Sequence, residues 1–161
     1  MINCGKRLYQ TDTSSCIRSA HSTEIFRSRF YKYSQSDIII SARDLDEIII
    51  QEKVRPSIFL ELYGALGTGL GIISRISPKP CSTLLTKIVD DAVSQQLNDS
   101  IRELSSAEVI DNCDIKETLK YHRDLKSTND SEPSIPSILT PEYLTALSFG
   151  LSRALAITKT F

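Results

Sequence analysis

Apolar positions recur at helical spacing along nearly the whole chain. The longest such run has one continuous apolar face, formed by Leu84, Leu85, Ile88, Val89, Ala92, Val93, Leu97, Ile101 and Leu104. This spacing is typical of an amphipathic helix that packs one side against a core. A further helix from about Val109 places Ile115, Leu119 and His122 on one line. The pattern therefore predicts an all-α fold of about six helices.

Three helices are predicted ahead of the long one. Residues 19–33 are polar but free of Gly and Pro, which favours a helix. In residues 38–53 the first three isoleucines alone are compatible with a strand, whereas the rest has helical spacing, so we predict one helix. The third helix is expected to begin at Pro56, because proline is favoured in a first turn.

The third predicted helix, residues 58–76, is strongly apolar and contains four glycines. Glu61 and Arg75 shorten its uncharged part, so we do not expect it to cross a bilayer. Two interpretations remain: a core helix whose glycines admit close neighbours, or a helix lying in a membrane surface. The expected membrane or partner face consists of Ile58, Phe59, Leu62, Tyr63, Leu66, Leu70 and Ile73.

The end of the chain has a loop and a last helix. Pro133, Pro136 and several serines predict a loop over residues 127–140. Pro141 and Glu142 after Thr140 resemble a helix start, and the apolar positions continue from there to Ile157.

Composition narrows the class of protein. The chain has 161 residues, 40% apolar and 24% charged, with a net charge of −1, so no basic surface for nucleic acid is expected. Residues 1–17 form a basic extension rich in Ser and Thr, for which an import segment and a frayed terminus are equally good interpretations. Residues 18–161 are predicted to form one domain. The four cysteines form no close pair, which excludes a CxxC site.

The segment Val54-Arg55-Pro56 with residues 57–63 is similar to the entry of the third helix in the demethoxyubiquinone hydroxylases, enzymes of ubiquinone synthesis. The similarity continues through residues 66–71, 81–104 and 123–124, and the ending at 141–157 also resembles the family. Residues 18–24 resemble its first metal-binding helix. The resemblance implies a ferritin-like bundle, with the first two helices shortened and the third facing a membrane.

Ferritin-like di-iron sites take a Glu from each of two helices and a Glu-x-x-His pair from each of two others. The resemblance places these ligands on Glu24, Ile38 with Ser41, Asp90, and Lys126 with Asn129. Only two carboxylates and no histidine remain at these positions, so no cofactor is expected. The His-Tyr pair that the family carries near its substrate falls on Gln96 and Leu97.

Lys126 continues the line of Ile115, Leu119 and His122, and the resemblance implies that this face meets Glu24 and Asp90. We predict that the Lys126 ammonium pairs with one of these carboxylates and replaces the metal charge. Alternatively, the fifth helix ends after Asp124 and leaves Lys126 in water.

The sequence thus predicts a non-catalytic homologue of the hydroxylase. Its expected place is a protein assembly at the matrix side of the mitochondrial inner membrane, with a membrane surface, quinone or lipid as further partners. The alternative is an active or residual hydroxylase, or a quinone- or lipid-binding protein of the same pathway.

Overall fold

The computed structural model describes residues 4–34, 43–106, 113–125 and 141–156. Within these ranges the chain forms six helices and no strand, which confirms the all-α prediction. The helices are α1 (Cys4–Tyr33), α2 (Arg43–Gln51), α3 (Leu60–Ile76), α4 (Lys79–Ser106), α5 (Cys113–Asp124) and α6 (Pro141–Ala156).

The first helix is the centre of the fold. It packs against α2, α3, α4 and α6, while α4 also packs against α5 and α6. Because α1 has neighbours on several sides, its buried residues are not confined to one stripe. Phe26 and Phe30 are buried, and so are the polar side chains of Ser19, Thr23 and Glu24.

Residues 4–17 extend the first helix rather than preceding it. The helix begins at Cys4, and both Cys16 and Ile17 are almost completely buried in the core. Helix α1 and its buried residues therefore continue across the boundary predicted between residues 17 and 18, while the division into domains stays a prediction. Helix α2 has nine described residues and buries Leu45 and Ile49.

The third helix begins later than predicted. Pro56 lies in the connection before it, and α3 starts at Leu60, with the Leu60 amide donating to the Ser57 carbonyl at 3.2 Å. The Ser57 hydroxyl accepts from the Phe59 amide at 3.2 Å, so local turn bonds replace the first helical turn.

Close packing of α3 against α1 depends on two glycines. A Cβ on Gly67 would collide with the Phe26 carbonyl, and one on Gly71 would lie 2.5 Å from the Phe30 carbonyl. Small residues let two helix backbones approach in this way. The interpretation of α3 as a tightly packed core helix therefore holds for this face. No helix in the described ranges has the length and hydropathy needed to cross a membrane.

Candidate functional site

Two carboxylates from different helices share one guanidinium at the centre of the bundle. Glu24 on α1 is completely buried, and its Oε1 lies 3.6 Å from Nη1 of Arg27. Asp90 on α4 is mostly buried, and its Oδ1 lies 3.6 Å from Nε of Arg27. Arg27 itself is only 2% exposed. A positive charge therefore lies between the two carboxylates that the sequence assigned to the metal.

The position of Arg27 is fixed by further contacts. Its Nη1 donates to the backbone carbonyl of His122 on α5 at 2.8 Å. Its Cζ lies 5.9 Å from the centroid of the Tyr31 ring, one helical turn further along α1. A buried guanidinium needs such partners, because an isolated charge is costly away from water.

Asp90 is also held by a neutral donor. The Tyr31 hydroxyl donates to Asp90 Oδ1 at 2.6 Å, a short bond of the kind made to an ionised carboxylate. Tyr31 is itself buried, with its ring edge-on to Phe30 at 5.3 Å. Asp90 thus binds two side chains of α1, which joins α4 to the central helix.

A histidine from the predicted inner face of α5 lies in this centre, although it was not among the predicted metal-ligand positions. The buried His122 imidazole has Nδ1 3.4 Å from Glu24 Oε2 and Nε2 3.7 Å from Asp44 Oδ2 of α2. Both distances exceed a good hydrogen bond. Within the described ranges neither oxygen of Glu24 has a hydrogen-bond partner. His122 lies there because it belongs to the buried α5 face that also contains Leu119.

Helix α2 contacts the centre through a second histidine. His21 Nε2 lies 2.7 Å from Asp46 Oδ1, and the imidazole is buried while the carboxylate is half exposed. Asp44 and Asp46 therefore both reach histidines, one on α5 and one on α1.

The other predicted site positions either lie buried on α4 or fall outside the described residues. Gln96 and Leu97 are both buried on α4, and Gln96 Nε2 donates to the Ser19 hydroxyl at 2.7 Å. That bond gives Gln96 a structural partner on α1. Ile38, Ser41, Lys126 and Asn129 lie outside the described residues, so the pairing of Lys126 stays a prediction.

The residues present do not fit two iron ions. Iron binds to lone pairs on oxygen or nitrogen atoms. A guanidinium has only N–H hydrogen-bond donors, offers no such lone pair and carries a permanent positive charge. Arg27 would repel a cation placed between Glu24 and Asp90. Across the described ranges no group of three or more His, Cys, Asp or Glu residues is arranged to hold a metal ion.

The outer face of α3 differs in part from the predicted one. Ile58, Leu62, Leu66 and Ile73 are exposed, together with Ile72 and Ile76, which the prediction did not include. Of the other residues predicted for this face, Tyr63 is buried, whereas Phe59 and Leu70 are partly buried and pack against the core. Tyr63 faces inward because its hydroxyl donates to the Ala154 carbonyl of α6 at 2.7 Å.

A groove of about 970 Å³ runs between α4 and α6, open to solvent. Its walls combine the apolar surface of Phe149 and Ala146 with polar and charged side chains: Gln95, Asn98, Arg102, Thr145 and Arg153. The guanidinium of Arg153 lies 5.0 Å from the Phe149 ring centroid.

A helical bundle with two buried carboxylates facing each other across α1 and α4 defines a ferritin-like protein, here with an arginine between the carboxylates. A sequence profile of the family described as Ubiquinone biosynthesis protein COQ7 matches residues 42–132, more than half of the chain. The chain belongs to this family.

One relative is the mitochondrial NADPH-dependent 3-demethoxyubiquinone 3-hydroxylase of Dictyostelium discoideum, 34% identical over 79 residues. The aligned stretch covers 49% of this chain and 36% of that enzyme. The similarity therefore spans well under two thirds of the relative's length.

Proposed function

We propose that this chain is a non-catalytic homologue of the ubiquinone-synthesis hydroxylases. In this role it serves as a structural or accessory subunit of an assembly at the matrix side of the mitochondrial inner membrane. The observation that carries the proposal is the position of Arg27 between Glu24 and Asp90, at 3.6 Å from each carboxylate.

The charge of Arg27 is what argues against an iron centre at Glu24 and Asp90. A di-iron hydroxylase needs carboxylates that are free to bind and bridge two cations. Here both carboxylates already face a cation that cannot be deprotonated in a protein. Asp90 is further engaged by the Tyr31 hydroxyl. The family's scaffold is retained, while its central charges are used to hold helices together.

The exposed face of α3 supports a role in an assembly or at a membrane. Four exposed apolar residues are separated by one or two helical turns and so form one stripe along the helix: Ile58, Leu62, Leu66 and Ile73. Exposed Arg55 and Arg75 lie near its two ends, and exposed Glu61 lies beside Leu62. An exposed apolar stripe flanked by charged residues suits both a protein partner and a membrane surface.

One observation supports the mitochondrial location: the Dictyostelium relative is named as a mitochondrial protein.

Elemental analysis of the protein purified from its native source tests the loss of the iron centre. We expect iron far below one atom per chain, with the Dictyostelium hydroxylase purified in parallel as the positive control. Two irons per chain would contradict the proposal and support an active hydroxylase. Mass spectrometry of the same preparation is expected to show a constant set of partner proteins, and a chain recovered alone would contradict the subunit role.

A second candidate, binding of a quinone or lipid, is favoured by the groove between α4 and α6. Its volume of about 970 Å³ lies within the usual range of ligand sites. Lipid extraction and mass spectrometry would then recover a bound quinone or lipid at a fixed ratio to protein. Ala146→Phe, which fills the groove, should lower that ratio several-fold, whereas Ala154→Phe, outside the lining, should not. Equal recovery from both variants would exclude this groove.

A further inference from the structure

We infer that Arg27 is an internal replacement for the metal: its guanidinium supplies the charge that lets Glu24 and Asp90 stay buried, and it ties α1, α4 and α5 together. The inference deepens the proposed function, because it rests on the loss of the iron centre. It differs from the sequence-based prediction, which gave this role to Lys126.

The charges at the centre require a cation. Glu24 is fully buried, Asp90 is mostly buried, and both face the same small region. Two carboxylates without a counter-charge would repel each other and would also lose their hydration. In a metalloprotein the ions offset this cost. Here the only fixed positive charge within 4 Å of both, among the described residues, is on Arg27.

The position of Arg27 in the helix favours this role. Glu24 is three residues before it and Tyr31 four residues after it, so all three side chains lie on one side of α1. Asp90 then approaches this row from α4 and binds both Arg27 and Tyr31. One row of α1 thus holds α4 without any metal.

The contact with α5 is to the end of that helix. His122 lies in the last turn of α5, where carbonyl groups lack partners within the helix and carry partial negative charge. Arg27 Nη1 donates to this carbonyl at 2.8 Å. The guanidinium therefore stabilises a helix terminus as well as two carboxylates. A lysine ammonium, which is a compact point charge, would do this less well.

The first measurement is the melting temperature of Arg27→Met, which keeps most of the side-chain volume but removes the charge. We expect a fall of about 10 °C, because a buried ion group loses one partner. Arg29→Met is the matched control, since Arg29 is exposed on the same helix. A similar fall in both variants would contradict the inference.

The deciding measurement removes the carboxylate charges as well. In the triple variant Glu24→Gln, Arg27→Met and Asp90→Asn, most of the lost melting temperature should return. On the wild-type background, Glu24→Gln with Asp90→Asn should instead lower it, because Arg27 is then left without a counter-charge. Recovery of folding in the triple variant also supports the inference if Arg27→Met alone does not fold.

Strictly additive losses across these variants would overturn the inference, because they would show that the side chains fill space without interacting as charges. That result would leave the proposed function intact. Conversely, two irons in the wild-type protein would remove the proposed function, whatever the melting temperatures show. The two failures are therefore distinguishable.

Discussion

The backbone of α3 at Gly67 lies directly against the carbonyl of Phe26 on α1, with no room for a side chain between the two helices. A Cβ added to Gly69, two residues further along α3, would meet no other atom within 4 Å. The two glycines therefore differ in what they do, although the sequence gives no sign of it.

Gly67→Ala should destabilise the protein by about 3 kcal/mol or more, because the clash is with backbone and needs the helices to separate. Gly69→Ala should stabilise it by about 0.5 to 1 kcal/mol, since alanine is the better helix former at an open position. Urea unfolding of both variants measures the difference. Equal effects would mean that α1 and α3 do not pack at the distance described.

Tyr63→Phe should cost about 1 kcal/mol at neutral pH, because it removes the bond from α3 to the Ala154 carbonyl of α6. Burial raises the pKa of the Tyr63 hydroxyl above its ordinary value of 10.0. The stability that depends on its proton is complete below about pH 10 and is lost as pH rises further.

The wild-type protein should therefore lose more stability than Tyr63→Phe as the pH rises above about 10. Melting curves of the two proteins across this range provide the measurement. Parallel losses would show that the hydroxyl is in contact with water and titrates as it does in the unfolded chain.

Asp46→Asn should destabilise the contact of α2 with α1 by about 1 kcal/mol, since it weakens the bond to His21 at a half-exposed site. Glu47→Gln, on the exposed side of the same helix, is the control and should be neutral. Hydrogen exchange of the α2 amides reports the change locally, and we expect faster exchange in the first variant only. Unchanged exchange would mean that the apolar contacts of Leu45 and Ile49 alone hold α2.

Leu62→Gln combined with Leu66→Gln should reduce recovery of partner proteins or binding to vesicles of phosphatidylcholine and an anionic phospholipid by about tenfold, which corresponds to about 1.4 kcal/mol. Both side chains are exposed on the α3 face. The control is Ile50→Gln with Leu147→Gln, two exposed apolar residues on other helices. If the control pair lost binding equally, the α3 face would have no special role.

Much of the fold could be predicted from the chain because helix faces depend on local spacing. The apolar row from Leu84 to Leu104 identified α4, and Pro141 marked the start of α6. Pro56 was misleading, since proline suits the first turn of a helix and also the turn that precedes one. The extent of α1 was missed because its first residues are polar, and helix formation there depends on tertiary contacts at Cys16 and Ile17.

The site was predictable only in part. The resemblance led to Glu24 and Asp90, and the structure brings both to the same guanidinium. Arg27 was missed because an arginine in a polar helix is usually exposed, and its burial depends on which neighbours surround α1. One signal was available: Arg27 follows Glu24 at a spacing that places both on one side of a helix.

The contacts of Arg27 have a consequence for how this lineage can change. A substitution that introduces a single iron ligand gains nothing while the guanidinium occupies the centre, and loss of the guanidinium first removes the cation that Glu24 and Asp90 both face. Under the proposed function, each single step toward an iron-binding centre is therefore neutral or harmful. Arg27 would then act as an evolutionary ratchet that keeps the chain from becoming an iron enzyme.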